Sequence, residues 1–269
     1  MPELPEVETV VRTLRPRVTG QKIVAVTLHR TDIVRPKEIS LSPLLMGRTI
    51  ASVDRRAKRI VITLDDCNRF YIHLGMTGQL VVESGDAIVK PHTHFVLDLQ
   101  DNSRQIRFRD PRRFGGIFWL GTDSADGDLG PEPLTLKPTQ LSQLLQKTTR
   151  PIKAALLDQT LISGLGNIYA DECLFLSGIH PLTRANRLSE DQVLRLNRAI
   201  KLTLRRAISA KGSTLRDYVN ADNAPGEYRS QHKVYDRAGE ACVTCGKQIK
   251  RIVLTGRSTC FCPICQKRK

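Results

Sequence analysis

No apolar run in this sequence approaches the ~20 residues that a membrane-spanning helix needs. The first residues, MPELPEVETV, are too acidic for a secretion signal. P-loop, G-x-S-x-G and H-E-x-x-H motifs are absent, which argues against the enzyme classes that depend on them. Aromatic residues make up 5% of the chain, and no basic amphipathic segment carries bulky aromatics on its other face. We therefore expect a soluble, cytoplasmic protein without a membrane partner.

Acidic residues are scarce relative to basic ones. The chain has 269 residues, with 42 Lys and Arg against 27 Asp and Glu, and its net charge is +15. Residues 150–269 carry most of the excess, with 21 basic and 10 acidic side chains. Such a balance can simply keep a surface solvated, but a concentrated excess favours a polyanion partner, because each phosphate contact releases counterions. Nucleic acid is the leading interpretation.

The seven cysteines include two pairs with identical spacing. Cys242 and Cys245 form one C-x₂-C pair, and Cys262 and Cys265 form the other. Two disulfides are the alternative, but the absence of an export signal argues against them. The spacing predicts one structural Zn²⁺ held by four thiolates, with no position left for a reactive water.

Periodicity divides the remaining chain into recognisable regions. Apolar residues at Val7, Val10, Val11 and Leu14 predict a short helix that ends at Gly20. Short β-branched and aromatic runs between residues 22 and 120 predict a mostly antiparallel sandwich or barrel. The pattern turns helical after a segment rich in Gly, Asp and Pro. At ~150 residues per domain the length suggests about two domains, and the predicted segments are a β domain (1–120), a linker (121–133), a helical region (134–233) and a zinc finger (234–269).

The N-terminal Met-Pro pair offers an unusual nucleophile. Met before Pro is normally removed, which leaves Pro2 with a free secondary amine, although Pro after Met is common and alone implies nothing. An α-amine has a pKa of about 8 against about 10.4 for lysine, so roughly 200-fold more of it is unprotonated near neutrality. Such an amine can attack a sugar C1′ and form an iminium, and the adjacent Glu3 can move protons.

Two further segments suit nucleic-acid binding. Residues 163–172, SGLGNIYADE, place two glycines before a helix whose free N–H groups would face an anion, unless this is an ordinary turn between helices. Residues 107–116 place arginines beside Phe114, which suits a wedge into a base stack or, equally, a strand end with a core phenylalanine. Met76 could equally be a core residue, and the pair His92 and His94 is more often structural than a metal site.

Taken together, these segments closely resemble the formamidopyrimidine-DNA glycosylase family, bacterial base-excision enzymes for oxidised purines. The resemblance covers essentially the whole chain and rests on five stretches in order, namely residues 1–9, 73–78 (HLGMTG), 110–116 (DPRRFGG), 163–172 and 256–266 (GRSTCFCPICQ). It implies an α+β multidomain fold with an N-terminal helix, an antiparallel β-sandwich, a helical domain with a helix–two-turn–helix element and a four-Cys zinc finger. It also implies a monomer in the bacterial cytosol or nucleoid.

The resemblance implies specific catalytic roles. Pro2 would be the nucleophile that displaces the damaged base and forms a Schiff base at C1′. Glu3 would be a general acid or base at the sugar, and Lys58 a proton donor in β-elimination. Arg257, on the turn of the zinc finger, would contact phosphate and assist δ-elimination.

The resemblance also implies how double-stranded DNA containing an oxidised purine or abasic site would be held. Side chains expected on the backbone around the lesion are His92, Arg112, Lys153 and Asn167. Met76, Arg112 and Phe114 would fill the gap left by the extruded nucleotide. Part of residues 213–230 would form a mobile loop over the flipped base.

Three rival interpretations remain open. The related endonuclease VIII branch shares the amine chemistry but prefers oxidised pyrimidines; Leu4, Val7 and Glu8 with the separate wedge residues favour the purine branch. A non-catalytic DNA-binding zinc protein would explain the charge and the finger, but not the Pro2, Glu3 and Lys58 motifs. A redox or metal-sensing role fits poorly, because a four-thiolate site is closed.

The finger departs from the family pattern at Asp236, Ala241 and Cys260, where glycine, proline and histidine are expected. Only the pair Cys262 and Cys265 repeats the earlier spacing, so Cys260 should not be a ligand. We predict that Cys260→Ser leaves zinc at one per chain, whereas Cys262→Ser lowers it, as measured by atomic absorption. Loss of zinc from the Cys260 variant would show that the ligands are misassigned.

Overall fold

The computed structural model describes residues 1–100, 103–214 and 218–268 and separates into two compact units. One unit comprises Met1–Gly127 and Ala210–Glu227, and the other comprises Asp128–Ser209 and Tyr228–Lys269. The four-segment division given above stays a prediction. Within the described residues, none of the helices has the length and apolar character to span a bilayer.

The first unit begins with helix α1, Leu4–Val18. A proline near its first position, Glu6 in its first turn, and Arg15 and Arg17 in its last turn all suit a helix in this direction. Its apolar stripe is fully buried, and the chain leaves the helix through Gly20 at a φ of +81°.

Two sheets make up most of the first unit. The strands in chain order are β1 (Ile23–Leu28), β2 (Val34–Arg35), β3 (Ile50–Arg56), β4 (Arg59–Leu64), β5 (Arg69–His73), β6 (Gln79–Ser84), β7 (Thr93–Leu99), β8 (Arg104–Arg109) and β9 (Gly116–Gly121). One sheet has the order β1-β7-β8-β6 and the other β2-β9-β5-β4-β3. All pairs are antiparallel except β2 with β9. A short helix, α2 (Leu41–Leu45), interrupts the strand region and was not predicted, because five residues are too few to show a period.

A single hydrophobic cluster joins the two sheets and α1. It includes Leu14 of α1, Ile62 and Phe70 of one sheet, and Phe95 and Phe108 of the other, and each of these side chains is buried. Residues from both sheets therefore meet face to face, which defines a β-sandwich with α1 packed into its core.

The second unit contains the remaining helices and a hairpin. The helices are α3 (Pro138–Gln146), α4 (Ile152–Leu157), α5 (Asn167–Ser177) and α6 (Glu190–Ser209), with 3₁₀ turns at Ala185–Arg187 and Tyr228–Gln231. Gly164, with a φ of +87°, lies in the connection between α4 and α5, and Gly178 ends α5 in the left-handed conformation. Strands β10 (Lys250–Leu254) and β11 (Arg257–Phe261) pair antiparallel. The predicted α+β architecture is confirmed.

Adjacent residues of β1 test the position of the core. Ile23 is 0% exposed, whereas Val24 is 40% exposed. We expect Ile23→Ala to lower the free energy of unfolding by about 2–5 kcal/mol, through lost burial and a residual cavity, and Val24→Ala to change it by less than about 1 kcal/mol. Urea denaturation measures both values, and equal losses would contradict the assigned core.

Candidate functional site

The predicted nucleophile lies at the start of α1 in the first unit. Pro2 and Glu3 are both buried, and Met1 is 43% exposed. The backbone N–H of Glu3 donates to Glu6 Oε2 at 2.8 Å, and the N–H of Ser213 donates to Glu6 Oε1 at 2.7 Å. Since Met1 acylates the Pro2 nitrogen, the reactive amine exists only after Met1 is removed.

Glu6 therefore joins two segments that are far apart in sequence. The Tyr218 hydroxyl donates to the Glu6 carbonyl at 3.2 Å. Gly212 has a φ of +81°, and a Cβ there would lie 2.9 Å from Glu6 Oε1, so glycine allows this close approach. Glu6 was not singled out from the sequence, although its place three residues after Glu3 is the signal of a helix N-terminus. Residues 215–217 of the predicted lesion-covering loop lie outside the described residues.

Lys58 lies on the turn between β3 and β4 and is 8% exposed. Arg55 fastens this turn to α1, because its Nε donates to Glu8 Oε2 at 2.8 Å and its Nη1 donates to the Ala57 carbonyl at 3.1 Å. Burial favours neutral Glu8, but the guanidinium groups of Arg12 and Arg55 outweigh it and hold the pKa of Glu8 below its usual value. The turn that carries Lys58 is thus attached to the helix that Pro2 and Glu3 precede.

His73 is a further buried group in this region. Burial lowers its pKa, and the positive charges of Lys58 and Arg59 lower it further, against the opposing effect of Asp110. Its Nδ1 accepts the N–H of Gly75 at 3.0 Å, which fits a neutral imidazole. His73 was not predicted as a site residue, because a lone histidine at the end of a strand gives no signal by which it could be found.

Met76 and Phe114 lie on adjacent loops with their side chains exposed. Met76 is 41% exposed and Phe114 56% exposed, and the Arg112 guanidinium lies 4.6 Å from the centroid of the Phe114 ring. The alternative reading of a core phenylalanine is therefore excluded. A Cβ on Gly75 would lie 2.4 Å from the backbone nitrogen of Gly115, so the two loops touch backbone to backbone.

The buried Asp110 side chain holds the Met76 and Phe114 loops together. Its carboxylate is 0% exposed and accepts the Thr77 hydroxyl at 2.5 Å and the Gly115 N–H at 2.8 Å. Its own N–H donates to the carbonyl of His92 at 3.0 Å, which brings His92 beside the 110–115 loop. His92 is exposed, whereas His94 is buried with Nε2 2.9 Å from the Asp110 carbonyl oxygen. His94 is therefore a buried structural residue, and the role of His92 in DNA binding stays a prediction.

The four predicted zinc ligands converge in the second unit. The Sγ atoms of Cys242, Cys245, Cys262 and Cys265 all lie within 4.8 Å of one another. The Cys242–Cys265 sulfur distance is 3.9 Å and the Cys245–Cys262 distance 3.5 Å. Tetrahedral zinc with Zn–S bonds of about 2.3 Å requires sulfurs about 3.8 Å apart. The donor set therefore fits one structural Zn²⁺, and Cys260 is not part of the cluster.

The remaining predicted residues of the second unit gather around β11. Arg257 is exposed beside the hairpin turn, Asn167 is half-buried at the start of α5, and Lys153 of α4 is 0% exposed. Lys153 Nζ lies 2.7 Å from Asp171 Oδ1, in a buried ion pair. Burial raises the pKa of Asp171 to about 6, against the opposing effects of the Lys153 ammonium and the Cys260 N–H. The structure thus places Lys153 beneath the surface on which Arg257 lies.

Glu172, next to Asp171, holds the segment that leads into the finger. Its carboxylate accepts the N–H groups of Lys233, Val234 and Tyr235 at 2.9–3.0 Å. Burial raises the pKa of Glu172, and these three N–H groups oppose the rise. Both acids lie in the 163–172 stretch that was predicted to begin a helix, but this role was not predicted for them.

Comparison with known proteins agrees with the fold. Residues 1–117 match the formamidopyrimidine-DNA glycosylase N-terminal domain, residues 129–219 match its H2TH domain, and residues 239–268 match the zinc finger found in FPG and IleRS. Together these define a zinc-finger enzyme of DNA repair. The chain belongs to the formamidopyrimidine-DNA glycosylase family, and the predicted resemblance is confirmed.

Full-length relatives support the assignment. A formamidopyrimidine-DNA glycosylase of Chloroflexus aggregans is 46% identical over 99% of this chain and 98% of its own. The crystal structure of the Thermus thermophilus protein is 40% identical and covers all of both chains with a TM-score of 0.88. The Lactococcus lactis protein in complex with abasic-site DNA is 35% identical, with a TM-score of 0.92 over 99% of this chain and all of that one.

Two glycines with positive φ offer a matched test of the Met76 and Phe114 loops. A Cβ on Gly75 (φ +61°) would meet backbone atoms at 2.4–2.8 Å, whereas a Cβ on Gly47 (φ +81°) would meet nothing within 4 Å. Gly47→Ala should cost about 1–2 kcal/mol of unfolding free energy, the strain of a left-handed residue. Gly75→Ala should cost at least about 1 kcal/mol more, because the loops must also separate, and should weaken binding to abasic-site DNA. Equal effects in denaturation and binding assays would refute this close packing.

Proposed function

We propose that this protein is a bifunctional base-excision enzyme that removes oxidised purines, 8-oxoguanine and formamidopyrimidines, from double-stranded DNA and then nicks the strand. It acts as a monomer, with Pro2 as nucleophile and Glu3, Lys58 and Arg257 as the other catalytic residues. The observation that carries the proposal is the fixed N-terminus. Pro2 lies two residues before α1, whose Glu6 accepts N–H groups from both Glu3 and Ser213.

The chemistry begins once Met1 has been removed. The Pro2 nitrogen attacks C1′, the bond from C1′ to the base breaks, and the base leaves with the bonding electrons and takes a proton. Glu3 transfers a proton at the sugar ring oxygen, the ring opens, and an iminium joins Pro2 to C1′. A secondary amine suits this step because it is largely unprotonated at a lower pH than lysine and can form a cationic iminium.

Two eliminations follow from the same iminium. Loss of a proton from C2′ expels the 3′ phosphate with the electrons of the C3′–O bond, and Lys58 supplies a proton in this first elimination. Loss of a second sugar proton expels the 5′ phosphate with the electrons of the C5′–O bond, assisted by Arg257. Water then hydrolyses the iminium and frees the amine. The product is a one-nucleotide gap with phosphate at both ends.

DNA binding draws on the positive charge and on the exposed loops. The lesion must leave the base stack before C1′ can be attacked, which costs a few kcal/mol. Met76, Arg112 and Phe114 fill the vacated space, and exposed His92 and Arg112 contact backbone phosphates. Asn167 and Arg257 contact phosphates from the second unit. Lys153 is fully buried, so its proposed contribution to DNA binding passes through other residues.

The relatives support the substrate class. Structures of the Lactococcus lactis protein contain DNA with a formamidopyrimidine lesion or with an abasic site. These are the substrate and the intermediate expected for an enzyme that removes damaged purines and then cleaves the resulting site.

Borohydride trapping tests the nucleophile. On a duplex with one 8-oxoguanine opposite cytosine, the native protein should give a covalent adduct on a peptide that begins at Pro2. Pro2→Gly should bind the lesion nearly as well but trap at least about tenfold less, because a primary amine replaces the pre-organised ring nitrogen. A preparation that retains Met1 is the matched control and should bind without trapping. Peptide mass mapping identifies the modified residue.

Each other outcome has a definite meaning. Full trapping by Pro2→Gly or an adduct on Lys58 would refute Pro2 as nucleophile while keeping the lyase. Faster cleavage of thymine glycol opposite adenine would overturn the proposed preference for oxidised purines and indicate the substrate preference of the endonuclease VIII branch. Salt-sensitive binding without any strand cleavage would indicate a non-catalytic DNA-binding protein.

A further inference from the structure

The ammonium group of Lys153 makes its contacts inside the protein. The side chain is 0% exposed, and Nζ lies 2.7 Å from Asp171 Oδ1, 2.8 Å from Thr259 Oγ1 and 2.9 Å from the Ser258 carbonyl oxygen. An ammonium has three N–H donors, and three acceptors surround this one. A direct bond to a DNA phosphate would require Lys153 to leave this pocket.

These contacts converge on the backbone that follows Arg257. The Ser258 carbonyl also accepts Asn167 Nδ2 at 2.9 Å. The Thr259 hydroxyl, which accepts from Lys153, lies 3.4 Å from the carbonyl oxygen of Arg257 and donates to it. The Cys260 N–H donates to Asp171 Oδ2 at 3.0 Å. Each residue from 257 to 260 is therefore held, directly or through one hydroxyl, by this buried network.

The hairpin alone would hold Arg257 less firmly. Arg257 follows a two-residue turn in which Thr255 and Gly256 both have positive φ, at +48° and +73°. This is the geometry of a type I′ hairpin, but a β-branched residue in this region is strained. Arg257 itself is exposed. Residues of α4 and α5 therefore fix the backbone from which the Arg257 side chain extends.

We propose that Lys153 and Asp171 are a positioning pair for Arg257. Through Ser258 and Thr259 the pair fixes the backbone at the start of β11, so that the guanidinium reaches the phosphate expelled in the second elimination. The inference rests on the proposed function, in which Arg257 assists that step. Lys153 then supports DNA cleavage without touching DNA, and Asp171 is a functional residue of this family member.

The two roles for Lys153 differ in their salt dependence. A phosphate contact contributes about 0.9 to the slope of log affinity against log salt concentration. A positioning residue leaves that slope unchanged and alters the rate of one chemical step. Removing one partner of a buried ion pair is strongly destabilising, so the test needs variants that avoid an uncompensated charge.

Two variants meet this condition. Thr259→Val is nearly isosteric and removes only the hydroxyl that links Lys153 to the Arg257 carbonyl. The double variant Lys153→Met with Asp171→Asn removes both charges together. Arg150→Met is the matched control, because Arg150 is an exposed cation near α4 that pairs with Asp158 at 2.7 Å. Zinc content and thermal unfolding verify that each variant is folded.

Single-turnover assays on the 8-oxoguanine duplex separate base release, first elimination and second elimination. We expect Thr259→Val and the double variant to slow the second elimination by about 10- to 100-fold, as for a catalytic group displaced by up to about 1 Å. Base release should change by less than about threefold, and the salt slope of the double variant should equal that of the native protein. Arg257→Ala added to either variant should cost little more, because the effects share one route.

The outcomes distinguish this inference from the proposed function. If Arg257→Ala alone leaves the second elimination unchanged, the role of Arg257 in the proposed function is wrong, and the positioning inference falls with it. If Arg257→Ala slows that step but Thr259→Val and the double variant do not, only the positioning inference is overturned. A salt slope reduced by about 0.9 in the double variant, and not in Arg150→Met, would restore Lys153 as a phosphate contact.

Discussion

Buried carboxylates that accept backbone N–H groups hold the candidate functional segments in place. Glu6, Asp110, Asp171 and Glu172 are each no more than 3% exposed. A carboxylate taken out of water is costly unless hydrogen bonds replace its hydration. The donors come from Glu3 and Ser213, from Gly115, from Cys260, and from residues 233–235. Satisfying each acid therefore requires the corresponding loop to occupy one position.

These four acids lie inside as anchors, whereas Arg112 and Arg257 are exposed. With a net charge of +15, exposed cations attract DNA at long range. Long-range attraction does not fix the position of a side chain, and the buried acids do. A side chain that inserts into a base stack or assists catalysis must be held close to one geometry to be effective. Lys153 differs from these two arginines, because it is buried and pairs with Asp171.

The two units use the same device for different segments. In the first, Glu6 ties the Pro2 and Glu3 region to residues near 213, and Asp110 ties the Met76 loop to the Phe114 loop. In the second, Asp171 and Glu172 are consecutive on α5 and hold β11 and the segment leading into the finger. Two consecutive residues of α5 thus hold the backbone on either side of the first pair of zinc ligands, at residues 233–235 and at Cys260.

Local pattern was sufficient for much of this molecule. The apolar spacing in α1, the β-branched and aromatic runs of the sandwich and the paired C-x₂-C spacing predicted a helix, strands and a zinc site, because each depends on residues near one another in sequence. The family resemblance, carried by five short stretches, predicted the enzyme class. These features follow from the sequence by itself, since period and spacing determine which side chains share a face or an ion.

Only the tertiary structure decided which of the predicted residues are exposed and which are buried. Phe114 and Lys153 were both predicted to contact DNA, yet Phe114 is 56% exposed and Lys153 is 0% exposed. The anchors Glu6 and Asp171 have partners 207 and 89 positions away, and no local pattern encodes such pairings. The burial of a side chain and the identity of its partner depend on how distant segments pack. The tertiary structure therefore determined which cations face solvent and which stabilise the interior.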